Sequence, residues 1–488
     1  MRSSLSNARR EVPLEPQRSV NEVNYVFPTS SHSEAPSPES GPYFMCPQSA
    51  DAPPSIQSAN ADEGGLPVQQ SGEGASSVGG EENQEGERSP SDRDEEEGQG
   101  QVAACDGLGI GEVSVPENGS WFAKMRAFAG PGSLIAVGYM DPGNWATDIA
   151  GGSAFNNQLL FVIASSSILA MFFQALALRL GLVARLDLAR MCKMHFSWPV
   201  SFTLWLTAEV AIMATDLAEV VGSAIALNML FGMPLLWGVL FTAADVLLLI
   251  FFGLENIKRM EILIVALCTT VAVCLIVELG MARPDGLDVL YHTFVPPQEL
   301  FSNREMLTIS IGIIGATIMP HNLYLHSSLV LTRSFANTPG ELESSVRFSM
   351  IDSCTSLLLA CFVNAAILML AAATFFRQGM TTMADLQEAY VMLGSILGAK
   401  AGSVLFGVAL LAAGQQSTIT GTLAGQIVME GFLGMRLPSW QRRLITRLLA
   451  IVPAVVSILV VGEQSVNDLL VISQVILSFQ LPFAVFPL

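Results

Sequence analysis

The sequence predicts an all-α polytopic membrane protein with ten transmembrane helices. These form two inverted five-helix repeats, in which helices 1 and 6 are unwound at the midplane of the bilayer. Hydrophobic residues make up 51% of the 488 positions and charged residues only 14%, whereas soluble proteins carry about 25% charged residues. The apolar residues fall into runs long enough to span a bilayer, which takes about 20 residues. Proline interrupts one such run in each half of the chain.

Residues 1–120 differ in composition from the rest of the chain. They contain six arginines, no lysine and 21 acidic residues, and so hold most of the net charge of −19. Because this segment is rich in Ser, Pro, Gly and Glu, it cannot bury enough apolar surface to order itself. We predict a disordered acidic tail over 1–120 and a transmembrane domain over 121–488, with repeats at 125–300 and 301–488. The negative charge also argues against binding to nucleic acid.

Ten apolar stretches follow the tail, and each predicts one span. The ninth is short and is expected to begin earlier, within residues 444–447. The segment 383–397 is amphipathic and is predicted to lie at the membrane interface. The stretches cover roughly 131–155, 157–178, 201–230, 233–253, 261–281, 306–332, 349–376, 401–431, 448–461 and 466–486.

Basic residues predict the orientation of these spans. With the N-terminus in the cytosol, 14 basic residues of the transmembrane domain lie on the inner side and 4 on the outer side. Positively charged loops stay in the cytoplasm, so this distribution predicts a cytoplasmic tail. The sequon at Asn118 then lies on the unglycosylated side. We expect the protein in a plasma membrane or an acidic endomembrane compartment.

The two interrupted spans carry polar residues at the interruption. Span one reads Asp141-Pro142-Gly143-Asn144, and span six has Pro320 between Met319 and His321. A carboxylate in the bilayer core costs about 2.5–3.5 kcal/mol on insertion scales. Non-helical backbone survives at that depth only where it lines a cavity or is buried in protein. Breaks at equivalent places in two repeats therefore predict a binding site between them.

The residues at the breaks predict a site for a transition metal. Asp141 offers a carboxylate, Asn144 an amide oxygen, and unwound backbone at Ala316 a free carbonyl. Hard cations such as Mg²⁺ and Ca²⁺ prefer shells of oxygen alone. The thioether of Met319 shifts the preference toward softer metals, so the set suits Mn²⁺, Fe²⁺, Co²⁺ or Cd²⁺.

Span three holds three acids, Glu209, Asp216 and Glu219, within an arc of about 80° on one helical face. Acids inside a membrane helix are typical of proton relays. The alternative, a face of salt bridges, needs basic partners within the membrane, and the sequence indicates almost none.

Two histidines follow the break in span six. Either one can exchange protons near neutral pH. For His321 the alternative is direct metal ligation; for His326 a plain hydrogen-bonding role fits equally well.

Together, the Asp141-Pro-Gly-Asn144 motif, Asp216-Leu-Ala-Glu219 and Met319-Pro-His321 resemble the Nramp family of proton-coupled divalent metal transporters. The resemblance covers roughly 125–488. It implies alternating access and symport of Mn²⁺ or Fe²⁺ toward the cytosol. The residues it implies as metal ligands are Asp141, Asn144, Met319, the Ala316 carbonyl and, in some conformations, Gln474; those it links to proton movement are Asp216, Glu219, His321 and Arg447.

One departure and several alternatives accompany this resemblance. Family members usually carry one or two helices after the tenth, so the sequence, which stops at Leu488, is expected to be truncated or to hold the core alone. The alternatives are an amino-acid or sodium-coupled symporter, an Nramp-related carrier of another cation such as Mg²⁺ or Al³⁺, and a non-transporting metal sensor. No enzyme activity and no resident cofactor are expected. The expected partners are divalent metal ions, protons and the lipid bilayer, and the sequence does not predict an oligomeric state.

Overall fold

A computed structural model describes residues 113–116, 119–242, 257–336, 338–379, 386–387, 389–391, 400–435, 437–460, 462 and 465–488. The predicted disordered tail lies almost wholly outside these residues. So do most of the amphipathic segment 383–397 and the second half of predicted span four.

The described part of the chain is almost entirely helical, which confirms the predicted fold class. The α-helices are α1 Trp121–Phe128, α2 Pro131–Gly138, α3 Pro142–Phe155, α4 Leu160–Ala184, α5 Leu188–His195, α6 Trp198–Phe231, α7 Leu235–Phe241, α8 Ile257–Ala282, α9 Gly286–Phe294, α10 Arg304–Thr317, α11 Pro320–Leu329, α12 Pro339–Thr374, α13 Lys400–Leu433, α14 Ser439–Val460 and α15 Ser465–Val485. Short 3₁₀ turns lie at Asn156–Leu159, Val330–Thr332 and Phe376–Gln378.

A two-stranded parallel pair is the exception to the helical pattern. Strand β1, Val113–Ser114, pairs with β2, Arg333–Ser334. The pairing continues where the Val115 N–H donates to the Ser334 carbonyl at 2.9 Å. The pair connects the chain before α1 to the segment after α11. Because its residues are more than 200 positions apart, no local sequence pattern predicts it.

Seven helical runs among the described residues are long and apolar enough to cross a membrane. They match predicted spans two, three, five, six, seven, eight and ten, and the run Pro142–Ala184 also contains the second half of span one. Leu444–Val460 is apolar but shorter and matches span nine. Helix α14, which contains it, begins at Ser439, so this span does start earlier than its apolar run. The full count of ten and the inverted repeat remain predictions with which these helices agree.

Both predicted interruptions are present in the backbone. Helix α2 ends at Gly138 and α3 begins at Pro142; α10 ends at Thr317 and α11 begins at Pro320. Each new helix starts with proline at its first position, where the missing N–H costs no helical hydrogen bond. Proline therefore ends one helix and begins the next at both places.

Helix α6 lies in the protein interior, whereas α8 lies at its periphery. In the apolar window of α6, 83% of the residues are buried, against 33% in that of α8. The acids of α6 are therefore surrounded largely by protein, while α8 presents most of its surface outward.

Candidate metal-binding site

Asp141 caps the helix that follows the first break. Its Oδ1 accepts hydrogen bonds from the backbone N–H of Asn144 at 2.8 Å and from Asn144 Nδ2 at 2.9 Å. The Asp141 side chain is fully buried, and its Oδ2 has no hydrogen-bond partner within the described part of the chain. The cap fixes one carboxylate oxygen at the N-terminus of α3 and leaves the other to accept a cation or a proton.

The second break presents a thioether and a free carbonyl. Met319 lies immediately before α11 and is fully buried. The ordinary helical partner of the Ala316 carbonyl would be the N–H of residue 320, and Pro320 has none. Asn322 Nδ2 lies 3.6 Å from the Met319 sulfur and orients it.

Asn322 and Gln474 connect the two breaks. Asn322 packs against Gly138 so closely that a Cβ atom there would overlap its amide. In the same way, the side-chain amide of Gln474 lies against the backbone of Gly143, and the backbone carbonyl of Gln474 lies against Gly315. The first break therefore touches α11 through Asn322, and α15 contacts both breaks through Gln474.

Gln474 brings a further oxygen to this region. Its Nε2 donates to Ser473 Oγ at 3.1 Å, while its buried Oε1 has no hydrogen-bond partner among the described residues. The side chain is fully buried. Because the amide nitrogen is fixed by a hydrogen bond, the amide oxygen remains available to coordinate a metal ion as a neutral ligand.

The predicted ligands are therefore all buried at or beside the two breaks. The set combines one carboxylate with neutral oxygen donors and one sulfur, which fits a divalent ion softer than Mg²⁺ or Ca²⁺. Among the residues that the structure describes, no group of three His, Cys, Asp or Glu side chains offers an alternative metal site. The role of each residue as a ligand stays a prediction.

Glu219 lies at the centre of a buried polar network. Its carboxylate accepts hydrogen bonds from Ser417 Oγ at 3.0 Å and from Thr418 Oγ1 at 3.1 Å, both on α13. Arg447 of α14 lies 3.8 Å from Glu219, donates to Thr418 Oγ1 at 3.1 Å and reaches the Asp216 carbonyl at 3.4 Å. The network thus connects α6, α13 and α14.

Glu209 forms a salt bridge with Arg442. Arg442 Nη2 lies 2.9 and 3.0 Å from the two carboxylate oxygens, and Trp205 Nε1 donates to the same group at 3.2 Å. The prediction that the acids of span three have almost no basic partners is wrong, since Arg442 pairs with Glu209 and Arg447 with Glu219. Both arginines come from α14, more than 200 residues further along the chain, so the pattern of α6 alone cannot reveal them. The place of Glu209 in a proton pathway stays a prediction.

The two histidines of α11 have different surroundings. His321 is buried, its Nδ1 has no hydrogen-bond partner in the described part of the chain, and Asp216 interacts with it electrostatically. His326 Nδ1 lies 2.9 Å from Gln174 Oε1, and Gln174 Nε2 donates to Tyr139 Oη at 3.0 Å. His326 is therefore hydrogen-bonded, and its predicted place in the proton pathway stays a prediction.

Sequence reasoning missed two polar residues beside the breaks. Asn322 contacts both Met319 and Gly138, and Asp148 is a buried acid seven residues after Asp141 whose Oδ2 has no partner among the described residues. Asp148 could have been predicted, because it is an acid inside an apolar span, which is the feature that identifies Asp141. Asn322 gives no such signal, since an asparagine in a helix commonly serves only as a hydrogen-bonding residue.

Comparison with known proteins decides the family. A model for the Nramp family, described as natural resistance-associated macrophage protein-like, matches residues 132–488. This chain belongs to the Nramp family. This Nramp protein is 54% identical to the divalent metal cation transporter MntH of Nostoc sp. over 376 residues, which cover 77% of this chain and 85% of the relative. It is 53% identical to MntH of Listeria welshimeri over the same length, covering 84% of that protein.

Solved structures agree with this assignment. The manganese transporter of Eremococcus coleocola, crystallised with an aromatic bis-isothiourea substituted compound, superimposes on this Nramp protein with a TM-score of 0.71. The two are 40% identical, and the match covers 77% of this chain and 81% of the other. The resemblance predicted from the residues at the breaks is confirmed.

Proposed function

We propose that this Nramp protein is a secondary transporter that carries divalent transition metals into the cytosol together with protons, by alternating access. Mn²⁺ and Fe²⁺ are the main substrates, and Cd²⁺ and Co²⁺ fit the same donors. One observation supports the proposal: at the two interrupted helices, Asp141 and Gln474 each hold a buried oxygen without a hydrogen-bond partner among the described residues, and Asn322 contacts both the Met319 sulfur and Gly138 of the first break. The names of the related MntH and manganese transporters support the same substrate class.

Metal binding begins when the ion exchanges most of its water for protein donors. Asp141 supplies the charge, and Asn144, Gln474 and the Ala316 carbonyl supply neutral oxygens. Met319 supplies the selectivity, because a thioether is a poor ligand for Mg²⁺ or Ca²⁺ but an acceptable one for later metals. A site with one negative charge holds the ion weakly enough for release.

Proton movement follows from the carboxylates next to the metal site. Asp141 cannot both bind a metal and keep a proton, so metal entry displaces the proton. Glu219 interacts electrostatically with Asp141 and lies in the polar network with Arg447. The displaced proton passes to this network, with Asp216 and His321 beside it, and leaves toward the cytosol along α6 past Glu209.

The direction of transport depends on topology and on the membrane potential. With the tail in the cytosol, α2 and the end of α11 face inward. Each positive charge that enters gains about 2.3 kcal/mol per 100 mV of inside-negative potential. Rearrangement of α2 relative to α4 and α11 must separate Tyr139, Gln174 and His326, whose hydrogen bonds hold these helices together.

The experiment is uptake of Mn²⁺, Fe²⁺, Ca²⁺ and Mg²⁺ into proteoliposomes, with and without an inward proton gradient. The wild type is compared with Asp141→Ala and with Asp468→Ala, a matched change at an exposed acid of α15. We expect uptake of Mn²⁺ and Fe²⁺ that rises with external acidity, disappears in Asp141→Ala and persists in Asp468→Ala. Full uptake by Asp141→Ala would show that Asp141 is not the central metal ligand. Uptake that does not depend on the proton gradient would show that transport is not coupled to protons.

A further inference from the structure

A groove of about 800 Å³ lies between the last turns of α4 and the first turns of α12. It lies at the end where α4 finishes at Ala184 and α12 begins at Pro339, and its lining contains none of the predicted metal ligands. Its lining is mostly apolar, with two arginines and one glutamate among the contributing side chains. The lining residues are Arg179, Val183, Pro339, Leu342, Glu343, Val346, Arg347, Met350, Ile351 and Cys354.

The two arginines give the groove a net positive charge. Arg179 and Arg347 are exposed, and neither has a salt bridge within the described part of the chain; the one polar contact found for Arg179 is with the Met350 sulfur at 3.7 Å. Glu343 is the acid in the lining, and it is exposed as well. Two guanidinium groups without carboxylate partners favour an anion, and a phosphate suits them because it accepts paired hydrogen bonds from arginine.

The floor of the groove is continuous with an apolar cluster. Leu342, Val346 and Met350 pack against the buried cluster that contains Phe128 and Phe348. Val183, on the α4 side, is 64% exposed. The exposed apolar surface needs a hydrocarbon neighbour, which free phosphate does not supply.

An apolar strip leads from the groove along the outer face of α12. Residues 347, 351, 354, 358 and 362 follow one another at intervals of three or four and so share a helical face. On that face Leu358 is 62% exposed and Phe362 44% exposed. A chain that starts at Arg347 can therefore run along α12 toward the membrane core.

We propose that this groove binds an anionic phospholipid, whose phosphate lies between Arg179 and Arg347 and whose acyl chain follows the strip on α12. With the topology of the proposed function, the lipid belongs to the inner leaflet. The acidic tail carries the right charge for the arginines, but its composition does not match the apolar floor. A phospholipid fits both parts of the groove, because its phosphate can pair with the arginines and its acyl chain can cover the apolar floor.

Native mass spectrometry of the purified full-length chain tests this proposal. The protein is incubated with equal amounts of phosphatidylglycerol and phosphatidylcholine that carry the same acyl chains. We expect phosphatidylglycerol adducts to dominate and to fall about tenfold in Arg179→Gln/Arg347→Gln, as the loss of charge-assisted contacts predicts. The control Arg304→Gln/Arg377→Gln changes two exposed arginines outside the groove and should bind like the wild type.

Three further measurements distinguish a lipid headgroup from inorganic phosphate and from the acidic tail as the anion in the groove. Val346→Trp fills the groove while keeping both arginines, and should also lower the phosphatidylglycerol adducts. Excess inorganic phosphate should not displace the lipid. Neutralising the acidic residues of 92–97 to Asn and Gln in the full-length chain should leave lipid binding unchanged.

Several outcomes would overturn the proposal. Equal binding of the two lipids, or equal losses in the groove variant and the control, would show that the arginines recognise no headgroup. Full displacement by phosphate would indicate an anion site that needs no lipid. Increased lipid binding after neutralisation of 92–97 would indicate that the tail occupies the groove. Transport is not measured, so the result is independent of the proposed function.

Discussion

Arg447 and Glu219 form a buried pair, with the arginine Nη1 3.8 Å from the glutamate Oε2 and neither side chain exposed. Ser417 and Thr418 donate hydrogen bonds to the carboxylate. A buried pair adds little net stability because both charges lose their water, but removing one partner leaves the other charge uncompensated. Each group in this network therefore depends on the others, which makes the network a suitable place to hold a moving proton.

Arg447→Gln should destabilise the protein more than the double variant Glu219→Gln/Arg447→Gln, which removes both charges of the pair. Breaking a buried pair costs about 3–5 kcal/mol, so the unfolding temperature in detergent should drop clearly. In Glu219→Gln/Arg447→Gln neither charge of the pair remains, so the unfolding temperature should return most of the way from that of Arg447→Gln to that of the wild type. A single variant as stable as the wild type would show that the pair is not coupled.

Glu219→Gln should separate metal movement from proton movement. The glutamine keeps hydrogen-bonding atoms for Ser417 and Thr418 but cannot take up a proton at any ordinary pH. Because Glu219→Gln takes the carboxylate away from Arg447, its unfolding temperature should also fall. In the folded variant we expect Mn²⁺ uptake to continue while its dependence on external pH and the accompanying acidification of the vesicle lumen disappear. Ser417→Ala is the matched control, since it removes one hydrogen bond without removing the titratable group. Unaltered acidification in Glu219→Gln would exclude this residue from the proton pathway.

Met319→Ala should change selectivity rather than abolish transport. The sulfur discriminates against Ca²⁺ and Mg²⁺, which prefer oxygen ligands, so its loss should admit them while Mn²⁺ uptake persists. The measurement is Mn²⁺ uptake in competition with Ca²⁺ or Mg²⁺. Met369→Ala, at a buried methionine of α12, controls for the loss of volume. If discrimination is the same in the Met319 variant as in the control, the sulfur is not the filter.

Gly143→Ala should weaken metal binding through Gln474. A methyl group at residue 143 overlaps the Gln474 amide, and the end of that flexible side chain is what must move. We expect an apparent Mn²⁺ affinity about tenfold lower, the size of effect seen when a metal-site partner is displaced, with little change in the unfolding temperature. Gly280→Ala is the control, because a Cβ there meets nothing within 4 Å. Equal affinities in the two variants would place Gln474 outside the site.

The backbone breaks could be predicted from the sequence because their causes are local. Pro142 and Pro320 interrupt their helices through their own chemistry, wherever the rest of the chain lies. The buried positions of Asp141 and Met319 follow, since polar atoms and unwound backbone inside a membrane must face protein.

The partners of the polar side chains could not be predicted in this way. Glu209 meets Arg442 across 233 positions, and His326 meets Gln174 across 152. Such pairs are set by how the helices pack, and a helical pattern shows only that a face is polar, not what covers it. The groove between α4 and α12 could not be predicted for the same reason, since the sequence places Arg179 and Arg347 only among the basic residues on the inner side of the membrane.

The most direct test of the central claim is X-ray absorption spectroscopy of Cd²⁺ bound to the purified protein. The claim is that both interrupted helices coordinate one ion, with oxygen from Asp141 and sulfur from Met319. We predict a shell of oxygen neighbours with a single sulfur in the wild type, and loss of that sulfur in Met319→Leu. A wild-type shell without sulfur, or a sulfur that persists in Met319→Leu, would contradict the account.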